Sequence, residues 1–142
     1  PGRARPARDA PPRAAVVEIR IPADPEYVPL LRAACGHLAP RLGCTLAEIS
    51  DLRLAVDEAC GLLLRNCITL SREEGQDCLT ATFTVDEQAL RVTVGMHADA
   101  FAMPHDDEFG WTILTALVEG FAWRVEGATV QVEILKTHAA GR

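Results

Sequence analysis

Hydrophobic and charged residues alternate over residues 16–21, where Val17, Ile19 and Ile21 are separated by Glu18 and Arg20. That period of two predicts a half-buried strand. Asp24-Pro25 then supplies an N-cap and a first-turn proline for a helix running toward Leu38. Pro40 must kink or end that helix, and Gly43 closes it. Thr45-Leu46-Ala47-Glu48 has the form of a capping box and starts a second helix. Leu52, Val56, Ala59 and Leu63 give this helix an apolar stripe, and around Gly61-Leu62-Leu63-Leu64 it is apolar nearly all round, which predicts a buried end. Beyond a polar loop at 71–77, Leu79, Ala81, Phe83 and Val85 form one arm of a hairpin. Leu90, Val92 and Val94 form the other, joined at Asp86-Glu87-Gln88. A loop rich in Asp and His, 97–108, leads into a third helix from 109 to about 118, stopped near Gly120. Two closing strands, near 121–125 and 129–135, turn at Gly127.

The order β-α-α-β-β-α-β-β predicts an α/β fold: a two-layer sandwich with a mainly antiparallel sheet and three helices on one face. The expected organisation is a disordered basic tail over 1–14, one domain over 15–138 and a short C-terminal tail over 139–142. The 142 residues, 49% hydrophobic, suffice for a core without disulfides or metal. No apolar run reaches the ~20 residues of a membrane span, and no signal peptide opens the sequence, so a cytoplasmic protein is expected, with no membrane partner.

Charge sharpens this picture. Residues 1–13 hold Arg3, Arg5, Arg8 and Arg13 against Asp9, a local +3, so the remainder carries −9 of the net −6. An acidic body argues against direct nucleic-acid binding. Cys35, Cys44, Cys60, Cys67 and Cys78 include no CxxC pair and are read as reduced thiols, Cys60 and Cys67 as core residues on one helical face. A His-x-x-x-Cys-x-x-Cys pattern, which would point to a zinc-held redox switch, is absent. His97 and His105, beside Asp99 and Asp106, read as polar loop, and no metal site is assigned.

This element order, with DLRLAVDEAC in the second helix and FGWTILTALVEGF in the third, resembles the anti-sigma factor branch of the GHKL ATPase superfamily over about residues 16–137. The resemblance implies a protein that holds a sigma factor away from RNA polymerase. It also implies a STAS-domain anti-anti-sigma partner, phosphorylated on serine with Mg-ATP. The family's second-helix box, Ser-Glu-Ala-Val-Thr-Asn, stands here as Asp57-Glu58-Ala59-Cys60-Gly61-Leu62. Glu58 keeps the position of the activating glutamate, while Leu62 replaces the asparagine that ligates magnesium. Mg²⁺ requires oxygen ligands, which an isobutyl group lacks. Asn66, one turn on, is the alternative donor.

The adenine box, Asp-x-Gly-x-Gly, matches Met96-His97-Ala98-Asp99-Ala100, without the aspartate or either glycine in place. The Gly-x-Gly before the third helix reads Glu108-Phe109-Gly110, and the lid between these boxes is short. Glu58 and Gly110 are therefore expected to be relics of a catalytic and a cofactor-binding position. No cofactor is expected, and Leu62 and Met96 are expected to fill the nucleotide pocket.

The family's first-helix arginine, which contacts both the sigma factor and the anti-anti-sigma protein, matches Arg32 in PADPEYVPLLR. Arg53 and Asp57 are expected to form an i,i+4 pair. Three functional readings result. The first is an anti-sigma factor acting by sequestration without kinase activity. The second is an active serine kinase with an atypical site. The third is a regulatory module of the same fold binding another protein or a small ligand. A homodimer is left open.

Overall fold

The computed structural model describes residues 15–70, 77–104 and 109–137. Strand β1, Ala15–Pro22, leads to a short 3-10 turn, Pro25–Tyr27, and then to α1, Val28–Leu38. The Asp24 side chain caps the turn, accepting from the Glu26 N–H at 2.8 Å. Pro40 ends α1 by tightening the chain into a second 3-10 turn, Ala39–Leu42, and Gly43 closes it in the left-handed region at φ 79°.

Helix α2, Leu46–Asn66, begins with the expected capping box. The Glu48 N–H donates to Thr45 Oγ1 at 3.1 Å, and the Thr45 N–H donates to Glu48 Oε1 at 2.7 Å. The stripe Leu52, Val56, Ala59 and Leu63 is fully buried, as are Ala55, Cys60 and Leu62. Strand β2, Cys67–Ile68, follows directly. Cys67 is buried like Cys60, but as a strand residue rather than on the helical face predicted for it.

The hairpin of β3, Cys78–Val85, and β4, Ala89–His97, matches expectation, with Phe83 opposite Val92. Its turn is held by Asp86, whose Oδ1 accepts from the Gln88 and Ala89 N–H groups, both at 2.8 Å. Those bonds hold the Asp86 carboxyl below its ordinary pKa. Strand β5, Ala100–Phe101, pairs antiparallel with β2, a ribbon lying in what the sequence reads as plain loop. Helix α3, Phe109–Leu117, and strands β6, Gly120–Glu126, and β7, Thr129–Thr137, complete the fold, with Gly127 at φ 59° in the last turn.

The main sheet runs β1-β3-β4-β7-β6, antiparallel throughout. Its inner face presents Leu79, Ala81 and Phe83, then Leu90, Val92 and Val94, then Val130, Val132 and Ile134, all within 1% of complete burial. The outer face carries threonines and a cross-strand cluster in which Glu133 Oε1 meets Arg91 at 3.3 Å and Arg124 at 3.2 Å. The predicted two-layer sandwich is the observed fold. Among the described residues no helix is long and apolar enough to cross a membrane. The tails expected at 1–14 and 139–142 lie outside the described residues.

One element of the core departs from the pattern. The inward position after Ile134 is Lys136, 6% exposed. Its Nζ donates to the Leu117 carbonyl at 3.0 Å, at the C-terminus of α3, and lies 3.7 Å from Glu119 Oε2. A cation at that helix end satisfies a carbonyl that α3 leaves unpaired and meets the negative pole of its dipole.

Candidate functional site

The expected chemistry converges where α3 packs on the C-terminal half of α2. Leu62 is completely buried there. Gly110, in the first turn of α3, lies directly against it: a methyl group on Gly110 would sit 3.5 Å from Leu62 Cδ2 and 3.1 Å from Arg65 Nη2. The Arg65 guanidinium folds back over its own helix, with Nη1 only 2.7 Å from where a Gly61 Cβ would stand. Gly61 and Gly110 therefore leave room for the exposed Arg65 side chain beside the α2/α3 contact. Helix geometry alone did not reveal this role for Arg65, although its four-residue spacing from Gly61 puts the two on one face.

Glu58 lies one turn before Leu62 and is half-buried on α2. Met96, on β4, is 6% exposed. The two positions expected to fill the pocket are thus both interior. The alternative donor, Asn66, turns its amide along its own helix, Nδ2 donating to the Leu62 carbonyl at 2.8 Å. Its backbone carbonyl receives the Ala102 N–H at 2.9 Å.

Asp99 is engaged elsewhere. Its Oδ2 accepts from the Leu70 N–H at 2.6 Å, and its Oδ1 is 3.1 Å from His97 Nε2. With the Asp99 N–H donating to the Ile68 carbonyl at 2.8 Å, this residue ties the β2/β5 ribbon together. His105 and Asp106 lie outside the described residues, as does Glu108, and among the described residues no cluster of His, Cys, Asp and Glu could hold a metal.

Neither Leu62 nor Met96 carries an oxygen that could ligate Mg²⁺. Leu62, which the family resemblance sets at the magnesium-ligand position, offers hydrocarbon, whereas Mg²⁺ takes oxygen ligands. The helix start that would face phosphate is packed against Leu62 and Arg65 at Gly110 instead.

Arg32 lies apart from that seam, on the side of α1 facing α2. Its Nε is 3.7 Å from Asp57 Oδ1, with the two side chains 38% and 42% exposed. The expected pairing of Asp57 with Arg53 is corrected: among the described residues Asp57 pairs with Arg32. Arg53 instead reaches over α1, with Nη1 3.9 Å from where a Gly36 Cβ would stand. A shallow depression lined by Arg32, Ser50, Arg53, Leu54 and Asp57 results, with Leu54 46% exposed on its rim. A half-exposed ion pair of this kind is worth about 0–1 kcal/mol, so an incoming carboxylate can displace Asp57 at little cost.

Cys35, Cys60 and Cys67 are buried and Cys44 and Cys78 partly so. Desolvation pushes Cys35 and Cys60 up to about 12 and Cys67 to about 11, and also raises Cys44.

Similarity to known proteins agrees with this architecture. Residues 21–134 match the family described as the histidine kinase-like ATPase domain. The serine-protein kinase RsbW of Bacillus velezensis is 35% identical over 85 residues, 60% of this chain and 51% of its own length. RsbW of Bacillus pumilus is 33% identical over 94 residues, 66% of this chain and 57% of its own. The chain thus spans about half the length of these curated relatives. A crystal structure of the RsbU and RsbW domains of Rv1364c from Mycobacterium tuberculosis superposes with a TM-score of 0.66 at 13% identity. That match covers 89% of this chain and 34% of the other, and it supports the fold. The sheet order, the capped α2 helix and the match over residues 21–134 together make this chain a member of the histidine kinase-like ATPase domain family, similar in sequence to the RsbW serine-protein kinases.

Proposed function

We propose that this chain is an anti-sigma factor that sequesters a sigma factor by stoichiometric binding, is countered by a STAS-domain anti-anti-sigma protein, and does not phosphorylate it. The observation that carries the reading is Leu62, fully buried against Gly110 where a kinase of this family needs a magnesium ligand. Glu58 is then an inherited position with no metal-bound nucleotide to serve. Binding is assigned to the α1/α2 surface around Arg32, whose guanidinium stays charged at any cellular pH and can take a partner carboxylate in bidentate fashion. Both partners would use that arginine, so release of the sigma factor becomes competition. A separate kinase would have to set the antagonist's phosphorylation state.

The test is a pair of titrations. Mg-ATP titrated into the protein should give no heat of binding, and the STAS partner should gain no phosphate. Arg32→Glu should weaken both the sigma-factor and the STAS complexes by at least about 2 kcal/mol, because it sets a like charge before the partner's acid. Saturable Mg-ATP binding would favour the serine-kinase reading. A complex untouched by Arg32→Glu would remove the shared surface.

A further inference from the structure

The inner face of the sheet is incompletely covered at its β1 edge. Helix α2 lies over β4 and β7, and α1 packs against α2 instead of over β1. A groove of about 630 Å³ remains between β1 and α1. Val17, Ile19 and Val85 form its floor, and Leu30, Ala34 and Leu38 of α1 form its wall. Leu30 is left 56% exposed and Val17 36%. Bare hydrocarbon in a concavity is costly in water, and its size falls in the range of about 300–1,000 Å³ typical of small-molecule sites.

The polar lining is basic, with Arg41 its permanent cation. His37, in the last turn of α1, and Arg41, one turn on, are the ionisable residues at this groove, and no carboxylate lines it. Neither pairs with an acid among the described residues. Arg41 also borders an adjoining depression with Asp86 and Glu87, but Asp86 Oδ1 is occupied by two N–H groups of its own turn. Two donors beside an apolar trough complement a ligand with a hydrocarbon body and an anionic head.

We propose that the β1/α1 groove is a binding site for a small amphiphilic carboxylate, its apolar chain lying on Val17, Ile19 and Leu30 and its carboxylate held by Arg41 and His37. The site is on the opposite flank of α1 from Arg32 and does not rest on the partner-binding reading.

The experiment titrates the full chain with decanoate, below its micelle concentration, by calorimetry and by amide chemical-shift mapping. Decan-1-ol and decylammonium are the controls. Decanoate should bind one-to-one with shifts confined to β1, α1 and the end of β3. Decan-1-ol should bind about tenfold more weakly and decylammonium should not bind, since the head group's contact is charge-assisted. Arg41→Gln should cost about the same tenfold for decanoate and leave decan-1-ol unchanged. Leu30→Asn, at an exposed position that folding tolerates, should weaken both ligands. Equal binding of decanoate and decan-1-ol, shifts mapping elsewhere, or an unaltered Arg41→Gln variant would overturn the proposal. So would sedimentation as a dimer that Leu30→Asn dissociates, because a second copy would then cover the groove.

Discussion

Replacing Leu62 by asparagine restores the family's magnesium-ligand residue type and tests whether the seam between α2 and α3 is a closed core or a latent nucleotide site. Leu62 is 0% exposed, so the substitution forfeits most of a leucine's burial, about 2–3 kcal/mol. The new amide brings donors and an acceptor to the Gly110 contact, which the Arg65 guanidinium also borders. Arg65 can serve the carbonyl oxygen, leaving the NH₂ group without an acceptor at about 1–3 kcal/mol. The expected loss is therefore about 3–6 kcal/mol, a large share of the ~5–15 kcal/mol available to a domain. Urea denaturation followed by far-UV circular dichroism should show a lowered midpoint with an unchanged slope. Leu62→Met, which keeps volume and polarity, should lose less than about 1.5 kcal/mol. The measurement is repeated with Mg-ATP, which should move neither variant's midpoint. A loss under about 1 kcal/mol for Leu62→Asn, or its stabilisation by Mg-ATP, would refute the reasoning, because Leu62 would then border an open, nucleotide-competent cleft.

Other outcomes follow from the same packing. Lys136→Met removes the donor to the Leu117 carbonyl and the pair with Glu119 while keeping most of the aliphatic volume, and should cost about 1–2 kcal/mol in urea unfolding. No change there would mean that the α3 terminus finds another donor. Cys35 and Cys60, with pKa values raised to about 12, should resist Ellman's reagent at pH 8 until the protein unfolds. Because folding raises their pKa above the unfolded value, their contribution to stability is fully present below about pH 9 and is lost as pH climbs toward 12. The urea midpoint should accordingly fall over that window, and a midpoint that rises there would contradict the assigned burial. Glu58→Ala should leave sigma-factor affinity within about 0.5 kcal/mol of wild type by calorimetry, and a tenfold loss would return Glu58 to a working role.

The alternation of Val17, Ile19 and Ile21, the Thr45/Glu48 box, the leucine stripe of α2 and the hairpin punctuation at Asp86 were all legible, because each is a local consequence of period and capping. The family resemblance rested on the same segments together with the box that places Leu62 beside Glu58. Period alone could not show that Lys136 takes an inward position, since cations are rarely interior without a partner supplied by distant chain. Its partners, Leu117 and Glu119, are brought by α3 and the turn into β6.

The β2/β5 ribbon escaped notice for a related reason. Two-residue strands carry no readable alternation, and this pair is stitched by the Leu70 N–H donating to the Asp99 carboxylate and the Asp99 N–H donating to the Ile68 carbonyl, partners far apart in sequence. The ion-pair partner of Asp57 was not legible: the i,i+4 rule favoured Arg53, whereas helix packing set Arg32 across from it. The sequence by itself determined the longer elements, their order and most of their buried faces, because those depend on neighbours within a few residues. The closure of the α2/α3 seam over Leu62, the pairing of Arg32 with Asp57, the burial of Lys136 and the open groove beside β1 were decided only by tertiary structure, because each depends on how far one helix reaches across the sheet.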